Sequence, residues 1–272
     1  MRRITPELTP ELFEHFGNPQ QAKIASGEAY KVSTFRQLVE NTARLAFKNK
    51  DHLLFYRGQA NDYKNKANTS TFYPSIYRGD YLPQKELKDR FDTLKKAGDI
   101  LVRLFEEQKI EGYREVRKRR SIQWSILQHY EVCPTPYLDF THSLRVACSF
   151  ATIDNNNESA YIYVFGLPYL TNRISTNSEH DIINIRLLSI CPPKAFRPYF
   201  QEGYLVGTDG VTTKYDSKSE LDLNNRLIAK FEIPNNDSFW GEGFHQIPKS
   251  SLYPENDPIE ELCNRIKKDL QE

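Results

Sequence analysis

Three short stretches of this chain carry polar side chains that are costly to place for packing alone. The first runs from Leu53 to Gln59, where Leu53, Leu54, Phe55 and Tyr56 form an apolar, aromatic strand signal and Arg57, Gly58 and Gln59 follow. An arginine there suits a bidentate, charge-assisted contact to phosphate; the alternative is an ion pair with an acid such as Asp139. Gly58 lets a second backbone or a ligand come close. Gln59 either reads a ribose or amide group or makes an ordinary strand-exit hydrogen bond. The second stretch, 128–143, holds His129, Asp139, Thr141 and Ser143. His129 is a general base or ligand donor, or else a core histidine bonded to backbone. Asp139 can orient His129 or Arg57, and Thr141 can bond a ligand, but both also suit turn and cap roles ahead of a helix. The third stretch, 197–203, sets Gln201 and Glu202 before Gly203, either as site residues or as a bulge or hairpin exit.

The surrounding pattern supplies elements to position these groups. Residues 1–33 read as an N-terminal arm with a short helix near 11–16, and 34–270 as a single domain. A capping-box pattern at Thr34 and Gln37 opens a helix to about Asn49, directly before the 53–57 strand. Helical periodicity continues over 85–108, with Gly98 and Asp99 as a possible kink, and over 113–130 until Pro134 and Pro136. A short helix is expected over 143–152, strands over 160–165, 204–206 and 227–233, and an amphipathic helix over 258–270. Segments 181–190 and 195–200 read as strand pieces. Helices dominate the first half and strands the second, which predicts an α+β fold: a helical N-terminal half packed on a mixed, mostly antiparallel sheet.

Composition removes several classes. A net charge of +1 gives no global electrostatic drive toward nucleic acid or membrane, and the basic run 114–120 reads as a solvated helix face. The four cysteines have no CxxC spacing, and the six histidines show no HxH or HExxH pattern, so no metal is expected. There is no Walker loop, dinucleotide glycine fingerprint or nucleophile elbow. No stretch has the length and apolarity of a membrane span, and reduced thiols in a cytoplasmic setting are expected.

Taken in order, Phe55-Tyr56-Arg57-Gly58 with Gln59, then Pro74 and Arg78, then Gln128, His129, Tyr130, Pro134, Thr135, Leu138, Asp139, Phe140, Thr141, Ala147, Phe150 and Ala151 resemble the FRG domain family, named for its aromatic-Arg-Gly motif. Arg197, Gln201, Gly203 and the segment 247–254 extend the resemblance. Phe140 stands where that family usually has tryptophan. The arrangement also resembles the ADP-ribosyltransferase layout, which implies an ADP-ribosyltransferase-like fold and NAD as substrate. On that resemblance Tyr56, Arg57, Gly58, Gln59, Arg78, Asp139, Thr141 and Ser143 would bind the nucleotide, and Arg57, His129, Thr141, Gln201 and Glu202 would serve catalysis. The catalytic glutamate of one such class falls on Gln201, with Glu202 one position along. A glutamine can bond a ribose hydroxyl but cannot neutralise oxocarbenium charge as a carboxylate does.

The expected function is therefore binding of NAD or a related nucleotide, with transfer of ADP-ribose to a protein or nucleic-acid acceptor. Two alternatives stand beside it. One is a non-catalytic nucleotide- or partner-binding module in a bacterial or phage defence or toxin system. The other is a nucleic-acid-binding protein using the 114–120 run.

Overall fold

The computed structural model of the chain describes residues 1–18, 21–79, 81–208 and 210–271. Among these are ten α-helices and eight strands, an α+β fold. In the first part of the chain come α1 (Pro10–Phe16), α2 (Gln21–Ser26), β1 (Tyr30–Lys31), α3 (Phe35–Lys48), β2 (Leu53–Gln59), α4 (Gln84–Glu107), α5 (Tyr113–Lys118) and α6 (Arg120–His129). There follow β3 (Tyr137–Thr141), α7 (Leu144–Thr152), β4 (Ser159–Leu167), β5 (Ile174–Asn177), β6 (Ile182–Arg186), α8 (Arg197–Gln201) and β7 (Gly203–Gly207). The series ends with β8 (Leu227–Pro234), α9 (Lys249–Leu252) and α10 (Pro258–Asp269).

The chain divides into two compact units, each assembled from three separate segments. The first comprises Met1–Phe72, Phe140–Tyr169 and Asp222–Lys249; the second comprises Tyr73–Asp139, Leu170–Leu221 and Ser250–Glu272.

In the first unit the strands lie in the order β1-β8-β4-β2, with Thr141 of β3 paired to Tyr56. Only β1 and β8 run parallel; β8 with β4 and β4 with β2 are antiparallel. These strands are apolar because both faces are covered: Phe55, Ile162, Val164, Phe165, Leu227, Ala229 and Phe231 are fully buried. The helix ahead of β2 begins as its sequence suggests. The Thr34 hydroxyl caps α3 at Gln37 N, while Gln37 reaches one residue further back to accept from Ser33 N at 2.9 Å. Ser143 caps α7 by accepting from Val146 N. β2 runs two residues past Arg57, so Gly58 and Gln59 are ladder residues opposite Ile162 and Tyr161.

In the second unit β5, β6 and β7 form an antiparallel meander. Ile183, Ile185 and Leu205 from these strands enter one core with Leu87, Phe91, Leu94, Leu101 and Phe105 of α4, Trp124 and Leu127 of α6, and Ile259, Leu262 and Ile266 of α10. α4 continues unbroken through Gly98, whose missing side chain makes room for Gln123: a Cβ there would sit 2.8 Å from its Oε1.

Two elements differ from expectation. The helix read over 113–130 breaks at Arg119, whose backbone is extended (φ −130°, ψ 108°), giving α5 and α6. The piece expected as strand over 195–200 is instead the helical turn α8. Pro198 suits its first turn, and the buried carboxylate of Asp257 accepts from Phe196 N at 3.0 Å and Arg197 N at 3.2 Å, satisfying donors that a strand would have offered to a ladder. Phe196, Tyr199 and Phe200, whose aromatic character suggested a strand, remain exposed.

Candidate functional site

Arg57 sits at one end of a row that crosses three strands. The register pairs it with Tyr163 of β4, and Tyr163 with Lys230 of β8, so the three side chains share one face of the sheet. Gln59 lies on the same face two residues along, whereas Tyr56 and Gly58 point to the other. That other face is closed by α7: a Cβ on Gly58 would lie 1.8 Å from the Ala147 carbonyl oxygen. The glycine of the aromatic-Arg-Gly motif therefore admits a helix backbone.

The Arg57 face carries a buried polar cluster. Lys230, with no exposed surface, donates to Asp62 Oδ2 at 3.0 Å, Ser70 Oγ at 2.9 Å and the Ala25 carbonyl at 3.1 Å. Asp62 Oδ1 accepts from Ser70 Oγ at 2.6 Å and the Tyr163 hydroxyl at 3.0 Å. Burial pushes the Lys230 ammonium below the ordinary lysine range, and the Asp62 charge and hydrogen bond partly restore it. Burial likewise raises the Tyr163 phenol, an effect opposed by the positive charge of Arg57. Arg57 and Gln59 are half-buried beside this cluster, and the Gln59 carbonyl oxygen is enclosed without a hydrogen-bond partner among the described residues.

Thr141 and Ser143 are engaged locally: Thr141 Oγ1 accepts from Ser143 N at 3.0 Å, and Ser143 caps α7. Between them His142 stacks on Phe55, ring centroids 3.9 Å apart, with Nδ1 2.9 Å from the Leu54 carbonyl, fixing the turn to β2.

The second unit gathers the polar residues of the 128–139 stretch. Gln128 Nε2 donates to Asp139 Oδ2 at 2.8 Å, and the Thr135 hydroxyl donates to Gln128 Oε1. His129 Nδ1 lies 3.8 Å from Asp139 Oδ1; the imidazole is 2% exposed and the carboxylate 45%, so the acid faces outward and the histidine stands behind it. His129 Nε2 is buried without a hydrogen bond among the described residues. Thr135 is held in turn by the segment after Pro74: Thr135 N donates to Ser75 Oγ at 2.9 Å, and Ile76 N donates to the Thr135 carbonyl at 3.1 Å. Arg78, at the end of that segment, is exposed and donates to the Tyr73 carbonyl at 3.1 Å.

The 197–203 stretch packs nearby, since a Cβ on Gly203 would lie 3.7 Å from His129 Cε1. Gln201 ends α8, is buried, and donates Nε2 to the Leu252 carbonyl at 2.8 Å. Glu202 is exposed and adopts the left-handed conformation (φ 47°) that stops the helix. Arg197 lies between the rings of Tyr130 and Tyr253, at 5.3 and 4.7 Å, with Glu260 3.4 Å away. In the basic run, Arg117 and Arg120 pair with Glu106 and Asp99 of α4.

Residues 52–160 match the family model described as FRG domain. Over that segment the chain is similar to the FRG domain. No curated protein and no solved structure matches the chain. The matched segment contains Arg57, Gly58, Gln59, the Gln128–Asp139 pair, His129, Thr141 and the Ala147 carbonyl against which Gly58 packs. Lys230 and Gln201 lie outside it. Reasoning from sequence missed the Asp62, Tyr163 and Lys230 cluster. Its one signal was a lysine in the otherwise apolar run Leu227, Ile228, Ala229, Lys230, Phe231, where a solvent-facing position would be expected to alternate with others of its kind.

Proposed function

We propose that the chain binds NAD or a related nucleotide at the carboxyl end of β2 and transfers ADP-ribose to a macromolecular acceptor. The observation that carries this reading is the pairing of Arg57 with Gln59 on one sheet face, the glutamine oxygen enclosed and without a hydrogen-bond partner among the described residues. A buried acceptor with no donor costs about 1–3 kcal/mol, which a ligand hydroxyl or amide N–H would recover. A guanidinium on the same face supplies the complementary charge for a diphosphate. In the proposed reaction these groups hold the dinucleotide while the bond from ribose C1′ to the nicotinamide nitrogen breaks. Neutral nicotinamide leaves, and an acceptor nucleophile adds to C1′ and gives up its proton.

Isothermal titration with NAD, together with an assay for released nicotinamide, tests the reading. Wild type is expected to bind, and Arg57→Ala to weaken binding at least about tenfold, the loss of one charge-assisted hydrogen-bonding group. Absence of binding by wild type, or equal binding by Arg57→Ala, refutes it.

A second reading, a nucleotide-holding module without transfer, is favoured by Gln201, whose amide is committed to the Leu252 carbonyl. Gln201→Glu would set a carboxylate against that carbonyl. It is expected to lose about 1–3 kcal/mol of stability in urea denaturation, with no rise in nicotinamide release. A variant of wild-type stability with raised release would count against the holding module.

A further inference from the structure

The basic run between α5 and α6 is divided in its use. Arg117 reaches Glu106 at 3.1 Å and Arg120 reaches Asp99 at 3.8 Å, both on α4, while Arg114 donates to the Tyr113 hydroxyl and lies over its ring. Arg119 makes no ion pair among the described residues and instead lines a cleft of about 580 Å³ in the second unit, a volume suited to a small ligand. Glu111 and Glu115 line the cleft with it, so the lining holds two carboxylates as well as the guanidinium. Arg173 lines the cleft as well, steadied by its Nη1 bond to the Ser189 carbonyl at 3.3 Å. Buried Val116 and Ile122 and half-buried Ile190 form an apolar floor. The Cys191 thiol in the lining is pushed up to about 12 by burial, so it remains protonated and unreactive at neutral pH.

Glu111, just before α5, and Glu115, within it, line the cleft, while Arg114 and Arg117 of that helix turn to Tyr113 and Glu106. We propose that this cleft binds a bipolar small molecule of the amino-acid class. Its ammonium group lies at Glu111 and Glu115, its carboxylate at Arg119 and Arg173, and its aliphatic stem on Val116, Ile122 and Ile190. The site is separate from the nucleotide reading of β2 and stands or falls independently of it.

The test is a ¹⁵N-resolved NMR titration of the full chain with 6-aminohexanoate, with hexylamine and hexanoate as singly charged comparators. Saturable shifts are expected for amides of 111–122 and 172–193 with the bipolar probe, at dissociation constants on the order of 1 mM, and at least about tenfold weaker binding of either comparator. Glu115→Gln and Arg119→Gln, both at exposed positions, should each weaken binding roughly tenfold while keeping the wild-type spectrum elsewhere; Lys118→Gln, outside the cleft, should not. No saturable shift up to ~20 mM, or equal responses to all three probes, overturns the proposal.

Discussion

Gly58→Ala is expected to destabilise the protein by at least about 3 kcal/mol, seen as a fall in melting temperature on the order of 10 °C. The added methyl group would land 1.8 Å from the Ala147 carbonyl oxygen, 2.8 Å from its carbon and 3.0 Å from Ala151 Cβ. Two of those three atoms are backbone, so no rotamer change relieves the clash; α7 must move off β2, or β2 must leave its ladder with β4. Either movement disturbs Arg57, one residue away, so the nucleotide binding proposed for that face should fall along with stability. Trimming Ala151 to glycine should rescue little, because the shorter distances are to the helix backbone. A melting temperature within about 2 °C of wild type would show that the close approach of α7 is not a constraint.

Asp62→Ala is expected to have a comparable effect by a different route. Lys230 is fully enclosed, and Asp62 is its counter-charge at 3.0 Å. Removing one partner of a buried pair typically costs about 3–5 kcal/mol, because the remaining charge is uncompensated. The sign of the pH dependence follows from the lysine. Burial depresses its folded pKa, so between that value and the ordinary lysine value the unfolded chain binds more protons and stability rises with pH. Deleting Asp62 removes the influences that restore the folded pKa, which widens this window downward. The deficit relative to wild type should therefore be greatest near neutrality and shrink as pH climbs toward the ordinary lysine value. Asp62→Ala combined with Lys230→Met should recover part of the loss at neutral pH, since no buried charge remains. Urea midpoints for the three proteins at neutral and alkaline pH decide the matter. A single-variant deficit under about 1 kcal/mol, or one that does not change with pH, would mean that the pair contributes little.

Where local pattern governs, the sequence was informative. α3, α7 and α10 each begin at a side-chain cap, Thr34, Ser143 and Asp257, and carry a clear apolar stripe. β2, β4 and β8 are apolar runs that could hardly be anything but central strands. The failures have distant causes. The α8 turn is fixed by Asp257, sixty-one residues from Phe196, and no window around 195–200 contains that carboxylate. The break at Arg119 falls among residues that individually favour helix, so tertiary packing decides it. The candidate site shows the same division. Gln128, Thr135 and Asp139 lie within eleven residues, inside the 128–143 stretch singled out by its residue types, although the bonds among them were not read from sequence. Lys230 reaches back 160 residues to Ser70 and 205 to Ala25, so its role emerges only once the strands are in register.

The interleaving of the two units bears on how the protein is made. The family match ends at residue 160, two residues into β4, while β2 depends on the whole of β4 and β4 depends on β8 at Leu227–Pro234. A ribosome that has delivered the matched segment has therefore delivered a central strand with no partner for most of its length. The first unit can close only after its last segment, Asp222–Lys249, has emerged, and the second needs Ser250–Glu272 after that. The first unit therefore cannot close before residue 249 has emerged, and until then the aromatic run at Phe55 is exposed to chaperones and to other nascent chains.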